Sequence, residues 1–187
     1  TIISSTEMAN KIGITPAQVR RDLAYFGEFG TRGVGYNVKD LKENIIKILG
    51  LNRRWKVALI GAGNLASALT NYKGFYERGF DIVAIFDNDP NKIGKMISDR
   101  TILDFEKDLG NTIDELDIEL AIVAVTASNA QEVVDSLVEA GITGIVNFAP
   151  TSISAPKDVI IRRVDLASQL EVLTFNIENR KQDRYQL

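Results

Sequence analysis

The 187-residue chain is 45% hydrophobic and 25% charged with a formal net charge of −3, enough apolar material for one large domain or two small ones. It contains no cysteine and no histidine, which excludes disulfides, thiolate metal sites, thiol redox sensing and histidine acid–base chemistry. No apolar run approaches the ~20 residues of a membrane span and no signal peptide is read, so a soluble, cytoplasmic protein without a bound metal is expected.

Charge is unevenly distributed. Residues 1–56 carry ten Lys/Arg against five Asp/Glu, and residues 57–187 carry twelve against twenty. A basic front joined to an acidic remainder points to two domains, the first meeting a polyanion. Ordinary surface scatter is the competing explanation, so motifs have to decide.

Ser4-Ser5-Thr6-Glu7 has the form of a capping box, and Met8, Ala9 and Ile12 make an apolar stripe before Gly13 breaks the helix. Thr15-Pro16-Ala17-Gln18 is a second box with Pro16 at the first helical position. Two short helices joined at Gly13-Ile14 spell a helix-turn-helix. In the second, Val19, Leu23 and Phe26 share an inward face, leaving Arg20 and Arg21 exposed near its N-terminal half, where a recognition helix touches bases and phosphates. Three glycines around Arg32, in Gly30-Thr31-Arg32-Gly33-Val34-Gly35-Tyr36, suit a hairpin tip carrying a cation, the wing of a winged helix. The alternative for the segment is a small helical oligomerisation domain with solvated arginines. A helix-turn-helix closes its core with a preceding helix; the chain opens at Thr1, just before the second, so that first helix is expected to be missing. Asn37 then caps a helix through Leu41, Ile45, Ile48 and Leu49, ended by Gly50 ahead of a short linker.

Val57 to Ile60 followed by Gly61-Ala62-Gly63-Asn64-Leu65-Ala66 reads as a buried parallel strand turning into a helix, the opening of a dinucleotide-binding unit. Gly61 makes the turn, Gly63 lets the backbone approach a pyrophosphate, and Ala66 is the close-packing position. The pattern alone is weak, but a second apolar run, Asp81 to Phe86, ends in Asp87, 21 residues beyond Ala66, where an acid accepts hydrogen bonds from the adenosine ribose. The alternative is that Asp87 merely caps the turn Asn88-Asp89-Pro90. Leu69, Tyr72, Phe75 and Tyr76 are expected to line the first crossover helix. Leu120 to Val125 is another buried strand, leaving Thr126-Ala127-Ser128-Asn129 at the carboxyl edge. Gly144-Ile145-Val146 delivers Asn147-Phe148-Ala149-Pro150 to the same edge, a run that could equally be a plain turn with a buried aromatic. Val159 to Val164 is a further strand, and Leu166, Leu170, Leu173 and Ile177 give a last helix one apolar face for its own domain or a partner.

Arg20-Arg21-Asp22-Leu23 with Tyr25-Phe26-Gly27-Glu28-Phe29-Gly30, the wing Arg32-Gly33-Val34-Gly35-Tyr36-Asn37, the glycine turn and Asn147-Phe148-Ala149-Pro150 make the chain closely resemble the Rex family of bacterial redox-sensing transcriptional repressors, along essentially its whole length. The resemblance implies an α/β protein: a small winged-helix DNA-binding domain over 1–54, a Rossmann-like NAD(H)-binding domain over 55–165, and a helix over 166–187 exchanged between subunits of a homodimer. It implies a palindromic double-stranded operator as partner, NADH and NAD⁺ as cofactors, release of DNA on NADH binding, and no enzymatic activity. The expected DNA contacts are Thr15, Gln18, Arg20, Arg21, Arg32 and Tyr36. The expected cofactor contacts are Gly61, Ala62, Gly63, Asn64, Leu65 and Ala66 on the glycine turn, Asp87, Asn88 and Lys92 at the second strand, Thr126 and Ala127 at the third, and Asn147, Phe148, Ala149 and Pro150 near the nicotinamide. The family's matching tyrosine and aspartate make Tyr72 and Asp165 a switch pair, joined when NADH is bound; otherwise Asp165 pairs with an arginine of the missing first helix. The family usually has glycine where Ala66 stands. The rival readings are an NAD-dependent oxidoreductase, which needs a proton donor or acceptor and a substrate domain, and a CoA-binding domain, against which Asp87 and the winged helix argue.

Overall fold

A computed structural model describes residues 1–31 and 33–184 and divides into two compact units, Thr1–Arg54 and the chain from Trp55 onward.

In the first unit, α1 (Ser5–Ile12) starts at a complete capping box: the Ser4 hydroxyl accepts from the Glu7 N–H at 3.1 Å and the Glu7 carboxylate accepts from the Ser4 N–H at 2.7 Å. Gly13 ends it in the left-handed region at φ 73°, which a side chain would oppose. The start of α2 (Pro16–Phe26) is half a box, since the Thr15 hydroxyl accepts from the Gln18 N–H at 3.2 Å without the return bond. Asn37 caps α3 (Val38–Ile48), whose end is a Schellman turn: the Leu51 N–H bonds the Ile46 carbonyl and the Gly50 N–H that of Lys47.

Two features differ from the sequence expectation. Ile12 and Phe26, expected to face inward, are 65% and 53% exposed, and among the described residues of this unit only Ala9, Val19 and Leu41 are buried; three short helices have too little surface to cover every apolar position. The residues ahead of α1 form a strand, β1 (Ile2–Ile3), antiparallel to β2 (Tyr36–Asn37). The turn before β2 closes on itself through Thr31 and Gly35, paired in an antiparallel bridge. A Cβ on Gly35 would sit 2.6 Å from the Ile3 carbonyl oxygen, so the glycine is demanded by contact with β1 as well as by its φ of 116°.

The second unit is a seven-stranded sheet with helices on both faces. Its elements are β3 (Trp55–Ile60), α4 (Asn64–Thr70), α5 (Lys73–Glu77), β4 (Phe80–Asp87), β5 (Met96–Ile97), β6 (Arg100–Asp104), α6 (Phe105–Leu116), β7 (Leu120–Val123), α7 (Ala130–Glu139), β8 (Gly144–Asn147), β9 (Ile160–Arg163) and α8 (Leu166–Arg184). The spatial order is β5-β6-β4-β3-β7-β8-β9, with every pairing parallel except β5 with β6. The order reverses at β3, so a crevice opens at the carboxyl ends of β3 and β7, the switch point where open α/β sheets bind ligands. Alternation along the strands makes two cores. Ala58, Ile60 and Phe86 pack with Leu109 and Ile113 of α6 and Val134 and Leu137 of α7; Val57, Leu59 and Ile85 pack with Ala66 on the α4 side.

The crossover after β3 is broken. Helix α4 stops at Thr70, and Tyr72, expected within it, is the N-cap of α5 and 57% exposed. The Asn71 amide donates to the Ser67 carbonyl at 2.8 Å and its oxygen accepts from the Ser98 hydroxyl at 2.8 Å, so the break is pinned to the β5–β6 turn. Strand β7 ends at Val123, two residues early, and the Ala124 carbonyl that follows passes close to Gly61. On α8, Leu166, Leu170, Leu173 and Ile177 form the expected stripe, but Val172 and Phe175 lie on the opposite side and all six are more than half exposed. The helix therefore does not cover its own sheet.

Candidate functional site

The glycine turn and Asp87 are one hydrogen-bonded structure. Gly61 stands at φ 97°, and a Cβ on it would lie 2.6 Å from the Ala124 carbonyl oxygen, so strand β3 can turn against the exit of β7 only with glycine there. A Cβ on Gly63 would meet nothing within 4 Å. Gly63 is followed by the first-turn N–H groups of Asn64, Leu65 and Ala66, which have no preceding carbonyl to bond. That open, positively polarised backbone suits a phosphate. Ala66 is fully buried against Val57 and Leu59, which accounts for a small residue in the third position.

Asp87 is 7% exposed. Its Oδ2 accepts from the Ala62 N–H at 2.7 Å and from Lys92 Nζ at 2.9 Å, and its Oδ1 from the Asp89 N–H at 2.9 Å. Burial pushes the carboxyl up, but the two backbone N–H groups and the Lys92 ammonium outweigh it and hold Asp87 below the usual carboxylate range. The turn-capping role is realised, through the Asp89 N–H, without using up the group. A carboxylate has about four acceptor positions, so one on Oδ1 remains, and the Lys92 side chain that occupies Oδ2 is 40% exposed.

These residues border a cleft of ≈ 680 Å³. Gly61, Ala62, Gly63, Asp87, Asn88, Lys92 and Thr126 of the expected set line it. Asn129, expected at the carboxyl edge, lines it too; the sequence reading missed the far wall, formed by Phe105, Glu106, Leu109 and Gly110 of α6 with Glu132, Val133 and Ser136 of α7. Asp104 as an N-cap before Phe105, Leu109 and Ile113 at helical spacing was the available signal for α6.

Asn64, Leu65, Ala66, Ala127, Asn147, Phe148, Ala149 and Pro150 are not among the cleft-lining residues. Asn147 is 1% exposed, with its amide turned into its own loop: it accepts from the Ala149 N–H at 2.8 Å and donates to the Thr151 carbonyl at 3.1 Å. Phe148 packs on the α4-side core and Pro150 is exposed. Asp165 is bonded to the Ser168 N–H at the start of α8 and to Arg163 at 2.7 Å, which together hold its carboxyl low, and Tyr72 packs edge-on against Phe75. Tyr72 and Asp165 are thus not joined to each other.

In the first unit Thr15, Gln18, Arg20, Arg21 and Tyr36 have described positions, and Arg32 lies outside the described residues. Arg20 and Arg21 are exposed on α2, with Arg20 donating to the Ser5 hydroxyl at 3.0 Å; Gln18 is also exposed and Tyr36 half-buried. Thr15 serves as the helix cap.

Comparison with known proteins gives two family matches, a CoA binding domain over residues 52–151 and a putative DNA-binding protein N-terminus over residues 1–24. The chain is 56% identical over 177 residues to the redox-sensing transcriptional repressor Rex of Carboxydothermus hydrogenoformans, covering 95% of this chain and 85% of the relative. It is 53% identical to that of Desulfitobacterium hafniense, over 96% and 85%. Among solved structures, RSP, a Rex-family repressor, in complex with β-NAD⁺ and operator DNA superposes with a TM-score of 0.89 at 38% identity, covering 98% of this chain and 84% of that one. RSP in complex with β-NADH gives 0.83 at 36% identity, covering 100% and 86%.

The two glycines separate structure from ligand access. Gly61→Ala should cost about 2 kcal/mol or more of stability through overlap with Ala124 and backbone strain, while Gly63→Ala should change it by less than ~1 kcal/mol. Urea unfolding of both variants checks this; equal losses would contradict the division of roles.

Proposed function

The chain belongs to the Rex family of redox-sensing transcriptional repressors, and from that premise we propose how its own residues serve as a sensor of the NADH/NAD⁺ ratio. The protein acts in the cytoplasm as a homodimeric DNA-binding repressor, not an enzyme, bound to a palindromic operator and released by NADH. The observation that carries the cofactor assignment is the cleft at the switch point, with the glycine turn on one side and Asp87 within it. The match to CoA-binding domains reflects a shared sheet; a buried carboxylate repels the 3′-phosphorylated ribose of CoA as it repels any ribose phosphate.

In this reading the Gly63–Ala66 backbone holds the pyrophosphate and Asp87 accepts the adenosine ribose hydroxyls as Lys92 swings away. Thr126 and Ala127 border the path toward the Asn147–Pro150 loop, where Phe148 and Pro150 offer apolar surface over the buried Ala149. The oxidised nicotinamide ring is cationic and the reduced ring neutral, and burial without a counter-charge opposes the cation. NADH is favoured there. The exposed stripes of α8 meet a second copy of the chain, since a helix apolar on two sides is stable only when covered on both. That helix is capped by Asp165, so its carboxylate, joined to the Tyr72 hydroxyl when NADH is bound and otherwise to an arginine of the first helix of the DNA-binding domain, links cofactor state to subunit arrangement. A complete switch requires NADH to favour the released state by up to ~5.5 kcal/mol, which two sites in a dimer can share. On DNA, Arg20 and Arg21 face the major groove, with Thr15 and Gln18 at the start of the same helix and Arg32 and Tyr36 on the wing.

Two measurements test these assignments. By calorimetry, NADH and NAD⁺ should bind far more tightly than NADPH and NADP⁺, and Asp87→Asn should narrow the gap; equal wild-type affinity for the phosphorylated and unphosphorylated forms would remove Asp87 from the ribose site. In operator binding by the full-length protein, Arg20→Ala should cost roughly 1–3 kcal/mol with or without cofactor. Tyr72→Phe and Asp165→Ala should keep NADH affinity but blunt release. Release at the wild-type NADH concentration in both switch variants would refute the pair.

A further inference from the structure

The connection from β8 to β9, residues 148–159, joins two parallel strands without a helix, although such crossovers are usually helical. An irregular crossover must find other partners for its backbone groups, and two side chains from outside it supply several. Asn147 serves the first turn, through Ala149 and Thr151. Gln131, in the first turn of α7, serves the middle: its Nε2 donates to the Ser154 carbonyl at 2.9 Å and its Oε1 accepts from the Ser154 N–H at 3.0 Å. The same Nε2 donates to Asp135 Oδ1, one turn along, at 2.8 Å. With both donors and the acceptor engaged, the amide has one orientation. On either side of Ser154, Ile153 and Ala155 pack on the α7-side core, so the crossover is held at its midpoint by this amide and two apolar contacts. Just upstream lie Phe148, Ala149 and Pro150; downstream lie β9 and Asp165.

We propose that Gln131 is a positioning residue for cofactor discrimination, its paired bridge to Ser154 holding the crossover so that Phe148 and Pro150, on either side of buried Ala149, present a fixed apolar wall to the nicotinamide ring. The inference rests on the NAD(H) assignment above. A dry wall held in place disfavours the cationic ring; a wall free to move admits water and loses the distinction. Gln131 is not among the residues lining the cleft, so it acts through the loop, and the adenosine half, bound at Gly63 and Asp87, is independent of it.

The test is calorimetry of NADH, NAD⁺ and ADP with the full-length protein, wild type against Gln131→Leu and Asp135→Ala. Asp135 is exposed, so its replacement frees the Gln131 amide without threatening the fold. Gln131→Leu should lower the NADH-to-NAD⁺ affinity ratio by roughly 3–10-fold, Asp135→Ala by less, with ADP affinity kept within about twofold, as expected for one or two net hydrogen bonds. Gln131→Glu, which keeps the acceptor but sets a carboxylate oxygen against the Ser154 carbonyl and Asp135, should lower the ratio at least as far as Gln131→Leu. An unchanged ratio in both Gln131→Leu and Asp135→Ala overturns the proposal, as does an equal loss for all three ligands. A wild type that binds ADP but treats NADH and NAD⁺ alike overturns the NAD(H) assignment, and the clamp with it.

Discussion

The Asp87 carboxylate is the fixed point of the larger unit. It draws the Ala62 N–H at 2.7 Å across from the neighbouring strand and so sets the glycine turn against the end of β4. Through the Asp89 N–H it starts the turn that leads on to the β5–β6 edge. A buried carboxylate is costly unless its oxygens are satisfied, and three donors satisfy this one while leaving an acceptor position toward the cleft. The same group therefore shapes the crest of the sheet and offers it a charge. Replacing it would disturb the turn, which is why cofactor preference, and not affinity alone, tests its proposed role at the ribose.

The local parts of this arrangement were legible in the residues. Capping at Ser4 and Thr15, the turn at Gly61, the buried Ala66 and the acid at Asp87 each depend on contacts between residues close in the chain or on a fixed βαβ spacing, and such spacing survives in sequence. What was not legible depends on contacts at a distance. The break at Asn71–Tyr72 is held by Ser98, 27 residues on from Asn71, and no periodicity in the helix announces it. Strand β1 exists because Tyr36 and Asn37 return to pair with it. The far wall of the cleft comes from α6 and α7, which the run of motifs passed over because their apolar faces are ordinary core. Asn147 shows a further limit: the bonds its side chain makes to its own turn have no signal in the spacing of the sequence.

In the proposed mechanism the path from cofactor to quaternary structure is short in sequence. Residues 147–150, the crossover pinned by Gln131, strand β9 and Asp165 at the start of α8 follow one another within a single stretch of chain. In the proposed mechanism a change of one charge at the nicotinamide is felt by the loop and passed along this stretch to a helix that has no cover on its own sheet. Coupling then needs no long relay. It needs only that the helix have two arrangements in the dimer and that NADH prefer one of them.

The central claim is that reduced and oxidised cofactor bias DNA binding in opposite directions through this one chain. The direct measurement is fluorescence anisotropy of a palindromic operator duplex, selected from random sequence by the full-length NAD⁺-loaded protein and then titrated with NADH at constant NAD⁺. The account predicts a bound duplex in NAD⁺ alone and its displacement as NADH rises, with half-displacement moving to higher NADH as NAD⁺ is increased. Displacement by both forms alike, or by neither while both bind the protein, would contradict it.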